Sequence, residues 1–229
     1  MMIETLLSLL QFSDGLFPAG SYAHSFGLET YIDDERVTKA ASVGEILHAH
    51  LEGSVGPCDA VFAVNALRAT AAGDLGACVE LDMRLDAIKS AAEPREASRQ
   101  LGRQTLRIAD TLTDHTVLTA FARTVEARAT PGHHAVVFGI IGGACGWPPR
   151  ATAAALLYAS AAGMVGAATR LVPLGQTQAQ RLISEASTMI AGLAEAATSG
   201  TIEETFTFAP ALEIASMRHA QLEARLFKS

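Results

Sequence analysis

Residues 151–169 read ATAAALLYASAAGMVGAAT, a stretch without a single charge that is bracketed by Arg150 and Arg170. Its length fits the roughly 20 residues that cross a bilayer, but Ala, Gly, Ser and Thr outnumber the larger apolar residues that drive insertion. A helix that is apolar all round is typical of the centre of a helical bundle. The stretch therefore predicts a buried core helix, with a membrane span as the alternative.

The rest of the chain has the composition of a helical protein. Alanine accounts for 43 of the 229 residues, and alanine is the strongest helix former, whereas strand formers are sparse. The alternating stretch Thr205 to Phe208 is too short and isolated to build a sheet. A chain of this length buries a full core without disulfides. We predict an all-α fold in which residues 1–229 form one compact domain of about nine or ten helices.

Apolar spacing and proline positions predict several helix ends. The pattern from Ile3 to Leu10 predicts the first helix. Pro57 is expected to break a helix that starts near Ser42, because proline is poorly tolerated inside a helix. Pro94 suits the first turn of a helix that runs to about Leu112. The last helix is predicted from Ala211 to Phe227.

Common signatures of enzymes and metal proteins are absent from the sequence. It contains no P-loop and no Gly-Lys pair, and neither G-x-S-x-G nor H-E-x-x-H occurs. His48 and His50, like the adjacent His133 and His134, point in different directions on a helix and do not readily share an ion. We expect a chain that is not an enzyme and holds no metal or cofactor of its own.

Charge and cysteine content restrict the compartment and the partners. The net charge of -7 disfavours broad affinity for nucleic acid or anionic membranes. The three cysteines have no C-x-x-C spacing, as is typical of a reducing compartment, and the start of the chain lacks the pattern of a secretory signal. We expect a cytoplasmic protein that binds neither nucleic acid nor membrane.

Four arginines repeat at four-residue spacing: Arg95, Arg99, Arg103 and Arg107. On a helix they form one row, which we call the arginine row, and adjacent like charges repel by about 0.2 to 0.5 kcal/mol. Two interpretations are open. Acidic side chains of the same fold neutralise the row, or the row faces an acidic partner, for which the arginine fork is well suited.

Two other segments carry unusual residue combinations. Residues 20–29 combine small residues, Tyr22, Phe26, His24 and Glu29 at a loop-to-helix junction, where functional residues often collect. The alternative is that Tyr22 and Phe26 only anchor the loop to the core. At the other end, Leu222 and Leu226 would form one apolar strip in a helix. Such a strip docks either into a partner's groove or onto its own core.

The segment from Leu16 to Glu29, LFPAGSYAHSFGLE, resembles the N-terminal signature of the UreF family of urease accessory proteins. Further blocks resembling that family follow in order along the chain. They are Arg95-Glu96 with Leu101-Gly102-Arg103, Pro131-Gly132-His133 with Phe138-Gly139, residues 171–176 with Gln180, and Met217-Arg218-His219 with residues 225–229. The resemblance spans essentially the whole chain. The chain departs from the family pattern at Ala154, and at Glu223-Ala224, where many relatives have Tyr-Ser.

The resemblance implies an all-helical, dimeric and non-catalytic factor. It would sit between the UreD-type protein, also called UreH, and the GTPase UreG during GTP-dependent nickel delivery to apo-urease. The alternative is a regulator that activates the GTPase of UreG by offering an arginine. The partner-binding residues are predicted to be Tyr22, His24, Glu29, Arg95, Arg99, Arg103, His219, Arg225, Leu226 and Phe227. Residues 217–229 form the predicted tail for the UreD-type partner, and Tyr158 lies at the predicted dimer interface.

Overall fold

Helices make up almost all of the ordered framework in the computed structural model, which describes residues 1–20 and 24–228. In chain order they are α1 (Ile3–Ser13), α2 (Leu28–Asp33), α3 (Ala40–His50), α4 (Val61–Ala71), α5 (Leu75–Ile88), α6 (Ala92–Leu112), α7 (Thr116–Glu126), α8 (His134–Ala144), α9 (Pro149–Leu171), α10 (Gln176–Ser199) and α11 (Pro210–His219). A π-helical segment, Leu51–Ala60, joins α3 directly to α4, and a 3₁₀ turn, Ile202–Glu204, follows α10. If α3, the π-helical segment and α4 are counted as one continuous helix, the described residues form ten helices. This confirms the predicted all-α fold.

The uncharged stretch forms most of α9, which packs against α10, α4 and the π-helical segment. Buried residues recur along α9 at helical spacing, namely Ala153, Leu157, Ala161, Met164 and Ala168. Within the described part of the chain, α9 is the one helix long and apolar enough to cross a membrane, and half of its most apolar window is buried inside the protein. This packing is that of a core helix.

A second apolar core surrounds α8. Its largest buried side chains come from α1, α4, α7, α8 and the turn after α8, and they include Phe12, Phe62, Phe121, Phe138 and Trp147. Leu156 of α9 belongs to this core, whereas the next residue, Leu157, belongs to the first core. Because α9 and α4 each contribute to both cores, the two cores form a single compact domain.

Pro57 does not break the helix, so that prediction was wrong. The chain runs from Ala40 to Ala71 without interruption, and Pro57 lies inside the π-helical segment. In an α-helix the proline ring collides with the carbonyl of the residue four positions earlier. The wider turn of a π-helix leaves room for the proline ring, so the helix continues through Pro57.

The last helix is shorter than predicted. It ends at His219, and residues 220–228 follow as non-helical chain, so the predicted helix from Ala211 to Phe227 was wrong beyond His219. The chain leaves the helix in a turn, in which the amides of Gln221 and Leu222 donate to the carbonyls of Arg218 and His219. Further on, the amides of Leu226 and Phe227 donate to the carboxylate of Glu29 instead of to helical carbonyls. Thr205 to Phe208 forms no strand, as predicted.

Candidate partner-binding surfaces

The carboxylate of Glu29 holds the C-terminal tail in place. Glu29 lies on the short helix α2, and its side chain is nearly buried. Its Oε1 accepts a hydrogen bond from the Leu226 amide at 2.6 Å, and its Oε2 accepts one from the Phe227 amide at 3.1 Å. Its Oε2 also lies 2.9 Å from Nε2 of His219. The signature segment and the tail, 190 residues apart, therefore form one site.

His219 links this site to α6. The imidazole is fully buried, and its Nδ1 lies 2.8 Å from Oε2 of Glu93 in the first turn of α6. The two ring nitrogens of His219 thus face carboxylates of two different helices, Glu29 of α2 and Glu93 of α6. Glu93 also faces Arg225, whose Nη1 lies 3.5 Å from Oε1. At the α6 end of the site, Glu93 therefore contacts both His219 and Arg225 of the tail.

The predicted tail residues divide into buried and exposed ones. Phe227 is buried, and the guanidinium of Arg170 lies 4.4 Å from the centre of its ring, within the range of a cation–π contact. Leu226 is 56% exposed, and Arg225 and Lys228 are also exposed. The tail therefore packs on its own chain through Phe227 and presents Leu226 and two cations outward, without the predicted helical strip.

The signature segment is only partly described, because Tyr22 lies outside the described residues. His24 is buried, and burial, with a smaller effect from Lys228, lowers the pKa of its imidazole. Gly27 has a φ of 84°, and a Cβ there would lie 2.8 Å from Oγ of Ser216 on α11. Glycine is therefore required where the segment passes α11, directly before α2.

Acidic side chains of the same chain neutralise part of the arginine row. Arg99 pairs with Asp86 and, at 3.3 Å, with Glu96. Arg103 pairs with Glu96 at 3.0 Å, yet its side chain remains 46% exposed. Arg95 donates to the Lys89 carbonyl, and Arg107 donates to Gln104. The far end of the row, Arg103 and Arg107, borders an open groove with Gln100 and Gln104.

A buried network that sequence reasoning missed positions the arginine row. Asp82, fully buried on α5, accepts hydrogen bonds from the Thr130 hydroxyl and from the amides of Gly132 and His133 at 2.6 to 2.7 Å. The loop before α8 is thereby fixed against α5. Nothing in the sequence distinguishes Asp82 from a surface carboxylate on a helix.

His133 extends this network to Arg99. Its Nε2 lies 2.8 Å from Asp86, and its Nδ1 lies 3.0 Å from Oγ of Ser98 on α6. Burial lowers the pKa of His133, and a neutral ring that donates from Nε2 and accepts at Nδ1 matches these contacts. Burial raises the pKa of Asp86, but hydrogen bonds from His133 and Arg99 outweigh it and hold that pKa below its usual value.

Close backbone contact completes this arrangement. α6 approaches the loop before α8 at Gly102, where a Cβ would lie 2.1 Å from the Gly132 carbonyl oxygen and 2.6 Å from the His134 amide nitrogen. Both glycines belong to blocks that resemble the UreF family. Their physical role is to bring α6, and with it the arginine row, against the rest of the fold.

A second polar cluster, which is only partly buried, lies beside the π-helical segment. Nζ of Lys89 lies 2.8 Å and 3.1 Å from the two carboxylate oxygens of Asp59, and this contact keeps the pKa of Lys89 raised although burial acts to lower it. His50 contacts Ser160 at 3.0 Å. Burial lowers the pKa values of His50 and His134 to about 4. Lys89 and His50 line a cavity of about 80 Å³.

Tyr158 lies on the outward side of α9, and its side chain is 48% exposed. The neighbouring residues Ala155 and Ala159 are small and only partly buried. Among residues 1–20 and 24–228, no group of three or more His, Cys, Asp or Glu side chains is arranged to hold a metal ion.

Comparison with known proteins agrees with the resemblance noted in the sequence. The UreF family model matches residues 37–187. The chain is 30% identical to the urease accessory protein UreF of Bacillus sp. (strain TB-90) over 99% of its length and 100% of the relative's. It is 33% identical to UreF of Lachnoclostridium phytofermentans over the full length of both chains. It is also 33% identical to UreF of Arthrobacter sp. (strain FB24) over 97% of its length and 96% of the relative's.

Proposed function

Because the chain belongs to the UreF family of urease accessory proteins, we propose that it is a non-catalytic, cytoplasmic adaptor of urease maturation. In this role it bridges a UreD/UreH-type protein and the GTPase UreG while nickel is delivered to apo-urease in a GTP-dependent process. Nickel is the cargo of the assembly. The GTP site belongs to UreG, since this sequence has no P-loop.

One observation carries the proposal: a single helix, α6, connects the two candidate partner surfaces. Glu93 in its first turn contacts His219 and Arg225 of the tail. Arg103 lies ten residues further along the same helix, which corresponds to about 15 Å at 1.5 Å per residue. A helix of this kind is rigid enough to fix the distance and orientation of two bound proteins.

The tail surface is assigned to the UreD-type partner. Leu226 offers an exposed apolar side chain, and Arg225 and Lys228 place positive charge beside it. The contacts of Glu29 with the Leu226 and Phe227 amides already order this part of the tail. A segment that is ordered before binding loses less conformational entropy when it binds, so a partner meets a preformed surface.

The arginine row is assigned to an acidic face of UreG. Arg99 is paired with two acids of the same chain and is largely covered, so we expect the more exposed far end of the row, Arg103 and Arg107, to make the contact. Two exposed guanidinium groups about one helical turn apart suit a pair of carboxylates. Asp86 binds Arg99, and His133 binds Asp86, so these two residues hold Arg99 and α6 in position beside this surface.

We further propose that the protein is a homodimer with Tyr158 at the interface. The outward side of α9 around Tyr158 carries no charge, and its alanines allow close approach of another helix. A half-exposed tyrosine among small residues is a common anchor of protein interfaces.

Reversal of one charge tests the assignment of the arginine row. Arg103→Glu should weaken binding of purified UreG by about 30-fold, because a desolvated arginine contact contributes about 2 kcal/mol or more. Helix content should not change, since the half-exposed pair with Glu96 contributes at most about 1 kcal/mol to folding. Arg181→Glu on exposed α10 makes the same charge change away from the row and should bind normally. Loss of circular dichroism signal together with binding would show that Arg103 acts in folding instead.

Turnover of GTP distinguishes the adaptor from the GTPase-activating alternative. An adaptor changes the rate of UreG only slightly. An arginine inserted into the nucleotide site accelerates GTP hydrolysis by roughly 10³ to 10⁵-fold. Acceleration of that size, abolished in Arg103→Glu or Arg107→Glu, would favour the regulator over the adaptor.

A further inference from the structure

An ordered turn at the start of the signature segment holds Leu16 out into solvent. Leu16 is 89% exposed, and its amide donates to Oδ1 of Asp14 at 2.8 Å. The Phe17 amide donates to the Asp14 carbonyl at 2.9 Å, and the Phe17 ring lies 5.0 Å from that of Phe12 in the second core. Residues 14–19, which we call the Leu16 turn, are thus anchored through Phe17 and have Leu16 at their outward tip.

A chain of hydrogen bonds joins the Leu16 turn to the arginine row. Nε2 of Gln104 on α6 donates to the Pro18 carbonyl at 3.1 Å, and Oε1 of the same side chain accepts from Nη2 of Arg107 at 2.8 Å. Because each residue adds at most about 3.6 Å of chain, the Cα of Leu16 lies within about 7 Å of the Cα of Pro18. The tip of the turn therefore lies beside the groove that Arg103, Gln104 and Arg107 border.

The surface beside the arginine row contains more than one apolar side chain. Ile108 and Leu112 follow Gln104 on α6 at four-residue spacing, so they continue along the side of the helix that meets the turn. Ile108 is partly buried, and Leu112 is 55% exposed. Single exposed leucines are common on protein surfaces. Here, however, exposed leucine is combined with guanidinium groups on one ordered surface.

We propose that Leu16 is an apolar anchor for UreG: it enters a recess on UreG while Arg103 and Arg107 contact carboxylates beside that recess. This inference rests on the assignment of the arginine row to UreG proposed above. It adds a residue of the signature segment that the sequence did not assign to a partner. Because the Leu16 turn is ordered before binding, little conformational entropy is lost when the anchor is buried.

Charge indicates that the occupant is an acidic protein face. Within residues 1–20 and 24–228, Arg107 has no acidic partner, and Arg103 remains 46% exposed beside Glu96. Carboxylates on a partner therefore find two available guanidinium groups. An anionic membrane is disfavoured, because its recruitment takes a cluster of roughly four to eight basic residues. Here Asp14 of the turn and Asp110 of α6 add negative charge close to the two arginines.

Titration of purified UreG into the full chain and two variants tests the proposal. Leu16→Ala should raise the dissociation constant by about 10- to 50-fold, because burial of the apolar end of the side chain is lost. Its melting temperature should not change, since an exposed side chain contributes little to folding. Ile214→Ala is the matched control, because Ile214 is 57% exposed on α11, and it should bind UreG normally.

Hydrogen exchange of the wild-type chain provides a second readout that requires no variant. The amides of Leu16, Phe17 and Ala19 should exchange more slowly when UreG is added in excess. Unchanged exchange of these amides at saturating UreG would overturn the proposal.

The remaining outcomes separate this inference from the function on which it rests. Normal UreG binding by Leu16→Ala, together with lost binding by Arg103→Glu, would refute the anchor and leave the arginine row assigned to UreG. A wild-type chain that does not bind UreG would refute the bridging function and the anchor together.

Two further results would show that Leu16 has a different occupant. The first is unchanged UreG binding by Leu16→Ala with loss of capture of the UreD-type protein, which would place that partner on the turn. The second is binding of the wild-type chain to phosphatidylcholine vesicles that contain phosphatidylserine, abolished by Leu16→Ala while UreG binding is unchanged. That result would identify a membrane as the occupant.

Discussion

Glu29→Gln should release the C-terminal tail while leaving the helical framework intact. The wild-type carboxylate accepts from the amides of Leu226 and Phe227 and contacts Nε2 of His219. Glutamine has nearly the same shape, but one of its two terminal groups is a donor, so in either orientation a donor faces at least one of these N–H groups. A hydrogen bond to a charged group contributes about 1.5 to 3 kcal/mol, and an unpaired buried donor costs a similar amount. We expect the tail to lose about 2 to 3 kcal/mol.

Hydrogen exchange at single residues is the appropriate assay, because the loss is local and exchange reports local opening. The Leu226 and Phe227 amides should exchange roughly 30 to 150 times faster in the variant, while amides of α9 keep their protection. Glu80→Gln, which weakens only a surface pair with Arg84, is the control. If the proposed tail surface is correct, binding of the UreD-type protein falls in the same variant. Wild-type protection of both amides in Glu29→Gln would refute the claim that this carboxylate holds the tail.

The remaining predictions concern acid stability and close packing. Because burial depresses the folded-state pKa of His50 to about 4, against 6.5 as its ordinary value, the unfolded chain takes up a proton first as pH falls. Stability is thus complete above about pH 6.5 and declines toward pH 4, by about 2 kcal/mol at pH 5. Urea unfolding at pH 7.5 and pH 5 should show a smaller loss for His50→Gln than for the wild type, and an unchanged loss for exposed His48→Gln. Gly102→Ala should lower the melting temperature by about 4 to 8 °C, since the new methyl collides with the Gly132 carbonyl at an overpacking cost of about 2 kcal/mol. Gly192→Ala on α10, where a Cβ meets nothing within 4 Å, should leave it unchanged or slightly raised.

The helical class and the core role of α9 follow from local information. Alanine content and the apolar stretch around Leu157 depend on propensity and periodicity, which act within a few turns of chain. The two wrong predictions concern where helices end, which depends on more than propensity and periodicity. Pro57 continues a helix because the turn around it widens. The chain after His219 leaves the helix in a turn, and Glu29, far away in sequence, then binds the amides of Leu226 and Phe227.

The candidate surfaces were only partly predictable for the same reason. The unusual composition of the signature segment and of the tail identified Glu29 and His219, but nothing in their spacing indicated that the two side chains meet. The arginine row was evident from periodicity, whereas its neutralisation by Asp86 depends on how α5 packs on α6. The partly buried pair of Lys89 and Asp59 leaves no local signal beyond the scarcity of lysine, which occurs three times in the chain.

The π-helical segment changes the direction in which side chains point along the continuous helix from Ala40 to Ala71. Each residue turns the following side chains by about 100° around a helix axis, so widened turns shift the phase of everything after them. Before the segment, Val43 and Leu47 point into the first core. After it, Val61 and Val64 of α4 still point into the first core, while Phe62 and Ala66 point into the second. The π-helical segment around Pro57 thus sets the rotation of α4 relative to α3. Deletion of one residue within it would turn the face of α4 that carries Phe62 away from α8, although neither helix would lose any of its own helix-forming residues.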